Sequence, residues 1–485
     1  MYDVAIIGGG VIGCAIAREL SRFHIRTVLL ERNAEVGFGT TKTNSGIIHA
    51  GHHDSADTLK GRLVVSGSLM FDQLAQELNF GFRRIGELVV ARGDEEVGTL
   101  EKLKALGDEK GVPGLEIWDA KRLRREEPNL SHKLVAALHA PSAGVINPYE
   151  FAFALIESAV TNGLELLVDS PVLDIDAGKD RLTLHLPEGK TIEAGFVLNC
   201  AGVFSDKVAG MVGLEDFSIR PRKGEEYMLD KRLEGLVRRL VFPVPTKTSK
   251  GILVIPTFDG TIMVGPTAED TDDRYDLATT YEGSEKVFGF IRDICPSITI
   301  KDTITEFAGL RAVSSTNDFV IGPTRVRGFI NVAGIQSPGL TAAPAIAIHT
   351  REILQAEGLV MQPKDDFDPV VAGPPRFATL QTDEQKALVE SDPLFGKIAC
   401  RCELVTEAEI HHAIDHGART LDGIKFRSRA GMGRCQGGFC TSRCMDILSE
   451  RLEVPLEEVT KRGGDSWMVT PMQNEQHPPS TGEED

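Results

Sequence analysis

The sequence predicts an α/β, Rossmann-like dinucleotide-binding domain, an antiparallel-sheet (α+β) domain, and a small, mainly helical C-terminal domain. Three observations predict it. A β-prone opening run leads through a glycine turn into a helical pattern and then a second strand. Short β-prone runs broken by Pro, Gly and Asp-Gly fill residues 215–305. Five of the eight cysteines crowd into 45 residues late in the chain. With 485 residues the chain exceeds one ordinary core, so two or three domains are expected.

The first element is "DVAIIGGGVIGCAIARELSRFHIRTVLLER". Val4–Ile7 form a strand, Ile12–Leu20 a helix and Thr27–Leu30 a second strand. Gly8, Gly10 and Gly13 have the G-x-G-x-x-G spacing. Gly8 permits the tight turn, and Gly10 lets backbone N–H groups approach a pyrophosphate at the helix N-terminus. Gly13 lets helix and strand pack closely, and Glu31 can accept from both ribose hydroxyls. An acid at that position disfavours a 2′-phosphate, which excludes NADP. No second fingerprint of this kind occurs in the chain.

The next segment, "GFGTTKTNSGIIHAG" (37–51), is a small-residue, hydroxyl-rich loop of a kind that folds over a flavin. Here the chain resembles the D-amino-acid oxidase superfamily of FAD enzymes. Its "TNSGIIHAG" and "DTLKGRL" are similar to the branch holding FAD-dependent glycerol-3-phosphate dehydrogenases and L-2-hydroxyglutarate oxidases. The resemblance runs from Met1 to about residue 350. It includes "FVLNCAGVFSD" (196–206), a strand that returns to the FAD in the family. It also includes "GFINVAGIQSPGLTAAPAIAIHTREIL", whose helix starts near Pro338–Thr341 and in the family points its positive end at the flavin. The cofactor contacts it implies are Gly8, Gly10, Gly13, Glu31, Arg32, Thr41, Asn44, Ser45, Gly46, Ile47, Val172, Ala201, Gly202, Gly309, Gly334, Pro338, Gly339, Leu340 and Thr341.

On the substrate side, "EFAGLRAVSSTNDFVIGP" (306–323) resembles the family stretch whose arginine holds the substrate's anion; here that is Arg311. A permanently charged planar fork suits a phosphate or a carboxylate. His49 lies beside the flavin loop and has a suitable pKa to take the proton of an alcohol as hydride leaves its carbon. His52 and His53 compete for that role, and His52 is also a candidate substrate contact. Within 215–305, "TFDGTIMVG" predicts a hairpin turning at Asp259-Gly260. Lys250 is a candidate phosphate contact. The alternative for it and Lys247 is the common use of lysine to guard a sheet edge.

The domain reading is therefore discontinuous. Residues 1–85, 145–214 and 306–355 form the FAD-binding domain, and 86–144 and 215–305 the substrate domain. A connector spans 356–395, and 396–466 form the C-terminal domain. A tail, 467–485, is expected to be disordered.

In the C-terminal domain, Thr406 and Glu409 predict a capping box and Gly417 a helix end. A second helix is expected to start near Cys440. Cys400 and Cys402 form C-x-C; 32 residues later Cys435 and Cys440 form C-x₄-C. Four thiolates on two loops can enclose a 2Fe–2S cluster. Zinc is the weaker alternative, because a one-residue gap crowds a tetrahedral ion; a site with no metal is the third. Lys425, Arg427, Arg429 and Arg434 offset a negative cluster. The segment resembles the bacterioferritin-associated-ferredoxin-type domain, in the version fused to anaerobic-type glycerol-3-phosphate dehydrogenases. Cys444, one helical turn past Cys440, is the rival fourth ligand.

The net charge of −18 argues against nucleic acid. No apolar run approaches membrane-spanning length, and the first residues run straight into a strand, leaving no room for a signal peptide. A cytoplasmic location is expected, with any membrane association peripheral and through a partner. The function expected is FAD-dependent oxidation of sn-glycerol 3-phosphate to dihydroxyacetone phosphate. Electrons would leave through the cluster to an electron-accepting partner, of NAD- or quinone-linked flavoprotein type, in a hetero- or homo-oligomer. The alternatives are an L-2-hydroxyglutarate (or other 2-hydroxy acid) dehydrogenase or oxidase, and a non-catalytic electron-transfer subunit.

Overall fold

A computed structural model describes residues 1–245, 251–373 and 376–470. The chain divides into two compact units, 1–374 and 375–485. Among the described residues, no helix is long and apolar enough to cross a membrane. Lys247 and Lys250 lie outside the described residues, as does most of the tail.

In the first unit, strand Tyr2–Ile7 is central to an eight-stranded sheet. Its parallel neighbours are Thr27–Leu30 and Thr191–Asn199; the latter also pairs in parallel with Phe329–Ala333. Val4, Ala5 and Ile6 are fully buried, as expected where helices cover both faces of a parallel sheet. Helix Val11–Leu20 packs against Pro148–Thr161 and Gly339–Ala356. A Cβ on Gly13 would lie 2.0 Å from the Gly8 carbonyl oxygen, so the helix and its strand approach closely only because that residue is glycine.

A second, nine-stranded sheet gathers segments 87–91, 116–119, 136–140, five strands between 219 and 270, and 303–314. It is antiparallel except where Leu240–Pro243 pairs with Glu87–Ala91. The Asp259-Gly260 hairpin forms, with Pro256 opposite Ile262 and Gly260 at φ +86°. Strand Thr303–Ser314, which carries Arg311, pairs along its length with Ile219–Leu229. The boundary expected at 306 falls inside this strand, so Arg311 belongs to the nine-stranded sheet.

From residue 396 on, the second unit holds, among the described residues, a short hairpin, Ile398–Cys400 with Val405–Thr406, and three α-helices, Glu407–Asp415, Leu421–Ser428 and Thr441–Leu452. The Thr406–Glu409 capping box is present, and Cys440 is the N-cap of the last helix. The stretch expected to be a connector, 356–395, contains a helix, Thr382–Ser391. The helix Leu421–Ser428 was also not foreseen.

Candidate functional site

The glycine turn opens onto a cavity of about 1010 Å³ in the first unit. Its walls run from Gly8, Gly10, Glu31 and Arg32, past Thr41, Asn44, Ser45, Ile47 and His49, to Gly309, Arg311 and Pro338–Thr341. Val172, Ala201 and Gly202 also line it. Three expected contacts do not. Gly13 lies under the turn. Gly46 and Gly334 sit at φ +60° and +66°, where a Cβ would press on Ile146 and Ser314, so their role is to shape the backbone.

The residues at the turn fit FAD. A Cβ on Gly10 would meet nothing nearer than Thr41 Oγ1 at 3.5 Å, so the cavity is open beside the helix N-terminus, where a phosphate is favoured. Thr41 Oγ1 accepts from Val11 N–H at 2.9 Å and holds the hydroxyl loop against the helix start. Glu31 Oε2 accepts from Gly9 N–H at 2.7 Å, and Oε1 from the Asn33 backbone at 2.9 Å. Burial pushes its pKa up, against these bonds. A carboxylate has about four acceptor sites, so capacity for a ribose hydroxyl remains. Arg32 lies over the Phe204 ring at 4.1 Å.

At the other end of the cavity, Thr341 joins the His49 loop to the helix N-terminus. Its Oγ1 accepts from His49 N–H at 3.0 Å and donates to the Ile47 carbonyl at 3.2 Å. The buried His49 ring has Nδ1 3.9 Å from Glu87 Oε2, while Nε2 is 3.5 Å from Ser337 Oγ on the cavity wall. A fully buried carboxylate thus backs the imidazole on the side away from the cavity. His52 does not reach the cavity. Its side chain is wholly buried, with Nδ1 3.3 Å from Glu87 Oε1, and His53 takes the lining position.

Arg311 enters from the nine-stranded sheet. Its Nη1 and Nη2 both donate to the Thr267 carbonyl at 3.4 Å, a long and weak pair. The guanidinium lies over Gly224, where a Cβ would be 2.6 Å from Nη2. Burial lowers its pKa, and nearby Glu226 opposes that. Glu226 itself is 3 % exposed, and its Oε1 accepts from Ser45 Oγ at 2.6 Å. Burial pushes its pKa up to about 7, against Ser45 and Arg311. Neither Glu87 nor Glu226 was foreseen. Glu226 lies in "RKGEEYML", where two adjacent acids suggest a solvated strand face.

In the second unit, Cys402 and Cys435 Sγ atoms are 3.6 Å apart, the separation of two thiolates sharing one tetrahedral ion. Cys400 adjoins Cys440, and Cys440 adjoins Cys444. A Cβ on Gly433 would lie 2.3 Å from Cys402 Cβ, so glycine there lets the two cysteine loops meet. Arg429 pairs with Glu403 at 2.9 Å beside them. The donor set fits a thiolate-held cluster.

The DAO family, FAD dependent oxidoreductases, matches residues 3–353, and the BFD-like [2Fe-2S] binding domain matches residues 398–450. A glycerol 3-phosphate dehydrogenase of Caloramator mitchellensis is 44% identical over 97% of this chain and 98% of its own length. An L-2-hydroxyglutarate dehydrogenase of Salmonella houtenae is 27% identical over 73% of this chain and 94% of its own. The dithionite-reduced L-alpha-glycerophosphate oxidase of Mycoplasma pneumoniae with FAD bound superposes with a TM-score of 0.74. It is 28% identical and covers 77% of this chain and 99% of its own.

Proposed function

The chain belongs to the FAD-dependent oxidoreductase family and carries a BFD-like [2Fe-2S] binding domain, and on that premise we propose that it is a dehydrogenase converting sn-glycerol 3-phosphate to dihydroxyacetone phosphate. What carries this reading is one cavity that runs from the glycine turn to a half-buried arginine and a buried histidine. The 44% identity to a glycerol 3-phosphate dehydrogenase extends across both units.

When bound, FAD accepts the hydride from the carbinol carbon, and the cluster passes electrons on singly. Everything else falls to the chain. Gly8, Gly10 and Glu31 hold the dinucleotide, and the helix starting at Gly339 presents its positive end to the flavin site. Arg311 pairs with the substrate's phosphate. His49 Nε2 takes the hydroxyl proton. Glu87, on the Nδ1 side, stabilises the imidazolium so formed and favours the ring orientation that leaves Nε2 toward the cavity. Cys400, Cys402, Cys435 and Cys440 hold the cluster, and the acceptor is a partner protein.

A 2-hydroxy acid is the second reading, since a carboxylate can recruit the same guanidinium, and L-2-hydroxyglutarate dehydrogenases are relatives. A purely electron-carrying subunit would need neither the arginine nor the histidine in its flavin cavity. Anaerobic bleaching of the flavin by a panel of polyol phosphates and 2-hydroxy acids tests the reading. Bleaching by sn-glycerol 3-phosphate at the lowest concentration supports it, and bleaching by L-2-hydroxyglutarate alone overturns it.

A further inference from the structure

Glu226 sits on strand Ile219–Leu229, opposite Phe307 of the strand that carries Arg311. Glu226 is among the residues that line the cavity. One carboxyl oxygen is occupied by Ser45 at 2.6 Å. The other, Oε2, is buried and has no hydrogen-bond partner among the described residues. A buried acceptor left in this way is costly, and a cavity wall is where a ligand can satisfy it. Arg311 is close enough to act on its charge, so an anion-holding fork and a carboxyl share this part of the wall.

The two candidate substrates differ in the group attached to the carbinol carbon. In sn-glycerol 3-phosphate it is a hydroxymethyl, a hydrogen-bond donor with no charge. In L-2-hydroxyglutarate it is a carboxylate, which has no proton to donate to Glu226. With the phosphate on Arg311, the hydroxymethyl is the end left to meet a second wall group. We propose that Glu226 is a specificity-determining residue. Its Oε2 accepts a hydrogen bond from the substrate's terminal hydroxyl and selects polyol monophosphates over hydroxy dicarboxylates. This rests on the glycerol 3-phosphate reading above and names the residue that would enforce it. A site that hydrogen-bonds a substrate hydroxyl rejects the analogue lacking it, because the buried partner is then left unmatched.

The test is a cycle on the purified holoenzyme, read as the second-order rate of anaerobic flavin bleaching. Wild type and Glu226→Gln are each given sn-glycerol 3-phosphate, propane-1,2-diol 1-phosphate, which lacks the terminal hydroxyl, and L-2-hydroxyglutarate. In wild type, loss of the hydroxyl should slow reduction by about 10–100-fold, the worth of a hydrogen bond to a charged group. In Glu226→Gln that penalty should shrink at least about threefold, and the preference over L-2-hydroxyglutarate should fall by about tenfold or more, with the flavin absorption spectrum unchanged. An equal hydroxyl penalty in both proteins overturns the inference and leaves the function standing. So does a displaced flavin spectrum with unchanged substrate ratios, which would put Glu226 against the cofactor. A wild type that no polyol phosphate bleaches overturns the function itself. If the glutamine variant does not fold, Glu226→Asp serves. Withdrawing the carboxylate by one methylene should cost glycerol 3-phosphate efficiency while discrimination against the dicarboxylate persists; unchanged efficiency there overturns the contact.

Discussion

Replacing Arg311 by lysine isolates what the fork contributes beyond charge. Among the described residues, Nη1 and Nη2 are held by long 3.4 Å bonds to one carbonyl, so both remain able to turn to a ligand. The guanidinium lies over Gly224, where a Cβ would come within 2.6 Å of Nη2 and displace it. A lysine ammonium keeps the charge but is a compact point on a flexible stem, and lacks the planar fork of parallel N–H donors that matches two phosphate oxygens. Losing one charge-assisted contact costs about 2–4 kcal/mol in kcat/KM, or roughly 30–1000-fold. Anaerobic single-turnover flavin reduction, run across substrate concentrations, separates binding from the chemical step. The loss should fall mainly in the apparent Kd, with FAD content unchanged because Arg311 is at the substrate end of the cavity. A variant within about threefold of wild type would falsify the assignment and send the search for the anion site to Lys250 and its neighbours.

Three further outcomes follow from the same geometry. Gly224→Ala should raise the apparent Kd for substrate at least about tenfold without loss of FAD, because the new Cβ displaces Nη2; titration of flavin bleaching checks this. Glu226, with its native pKa raised to about 7 from 4.5, stabilises the fold least above that range: stability present below about pH 4.5 is lost as pH rises through 7. Glu226→Gln should therefore gain stability over wild type, by up to about 3 kcal/mol, at pH 8 but little at pH 5, and equal gains by urea denaturation at both would contradict the burial argument. Cys435→Ser should lose cluster iron, whereas Cys444→Ser should retain it; iron analysis showing the reverse makes Cys444 the fourth ligand.

Much of the fold was legible because local chemistry and tertiary context agree. Val4–Ile7, the glycine turn and Glu31 each fit their own place and the same sheet, and Thr406 with Glu409 makes a capping box from side chains alone. The helix Leu421–Ser428 was not legible. Its charged Asp422, Lys425 and Arg427 fall around the cylinder rather than on one side, leaving no apolar stripe to detect. Candidate site residues followed the same rule. His49 was singled out because it adjoins the hydroxyl-rich loop, and it lines the cavity. His52 and His53 are neighbours in sequence, yet one is sealed against Glu87 and the other lines the cavity, a distinction set by loop geometry. Glu87 and Glu226 lie far in sequence from the residues they serve: the pairing of the strands that carry them brings Glu226 near Arg311, and tertiary packing brings Glu87 to His49.

The most direct test is anaerobic stopped-flow mixing of the purified flavoprotein with sn-glycerol 3-phosphate, beside a Cys400→Ser/Cys402→Ser variant. Both proteins should bleach in a single turnover at similar rates, since proton removal by His49 and anchoring by Arg311 need no cluster, and dihydroxyacetone phosphate should appear in equal amount to FAD. Only the wild type should then turn over with a protein acceptor. A flavin that sn-glycerol 3-phosphate leaves oxidised in both proteins, while L-2-hydroxyglutarate bleaches it, would contradict the account.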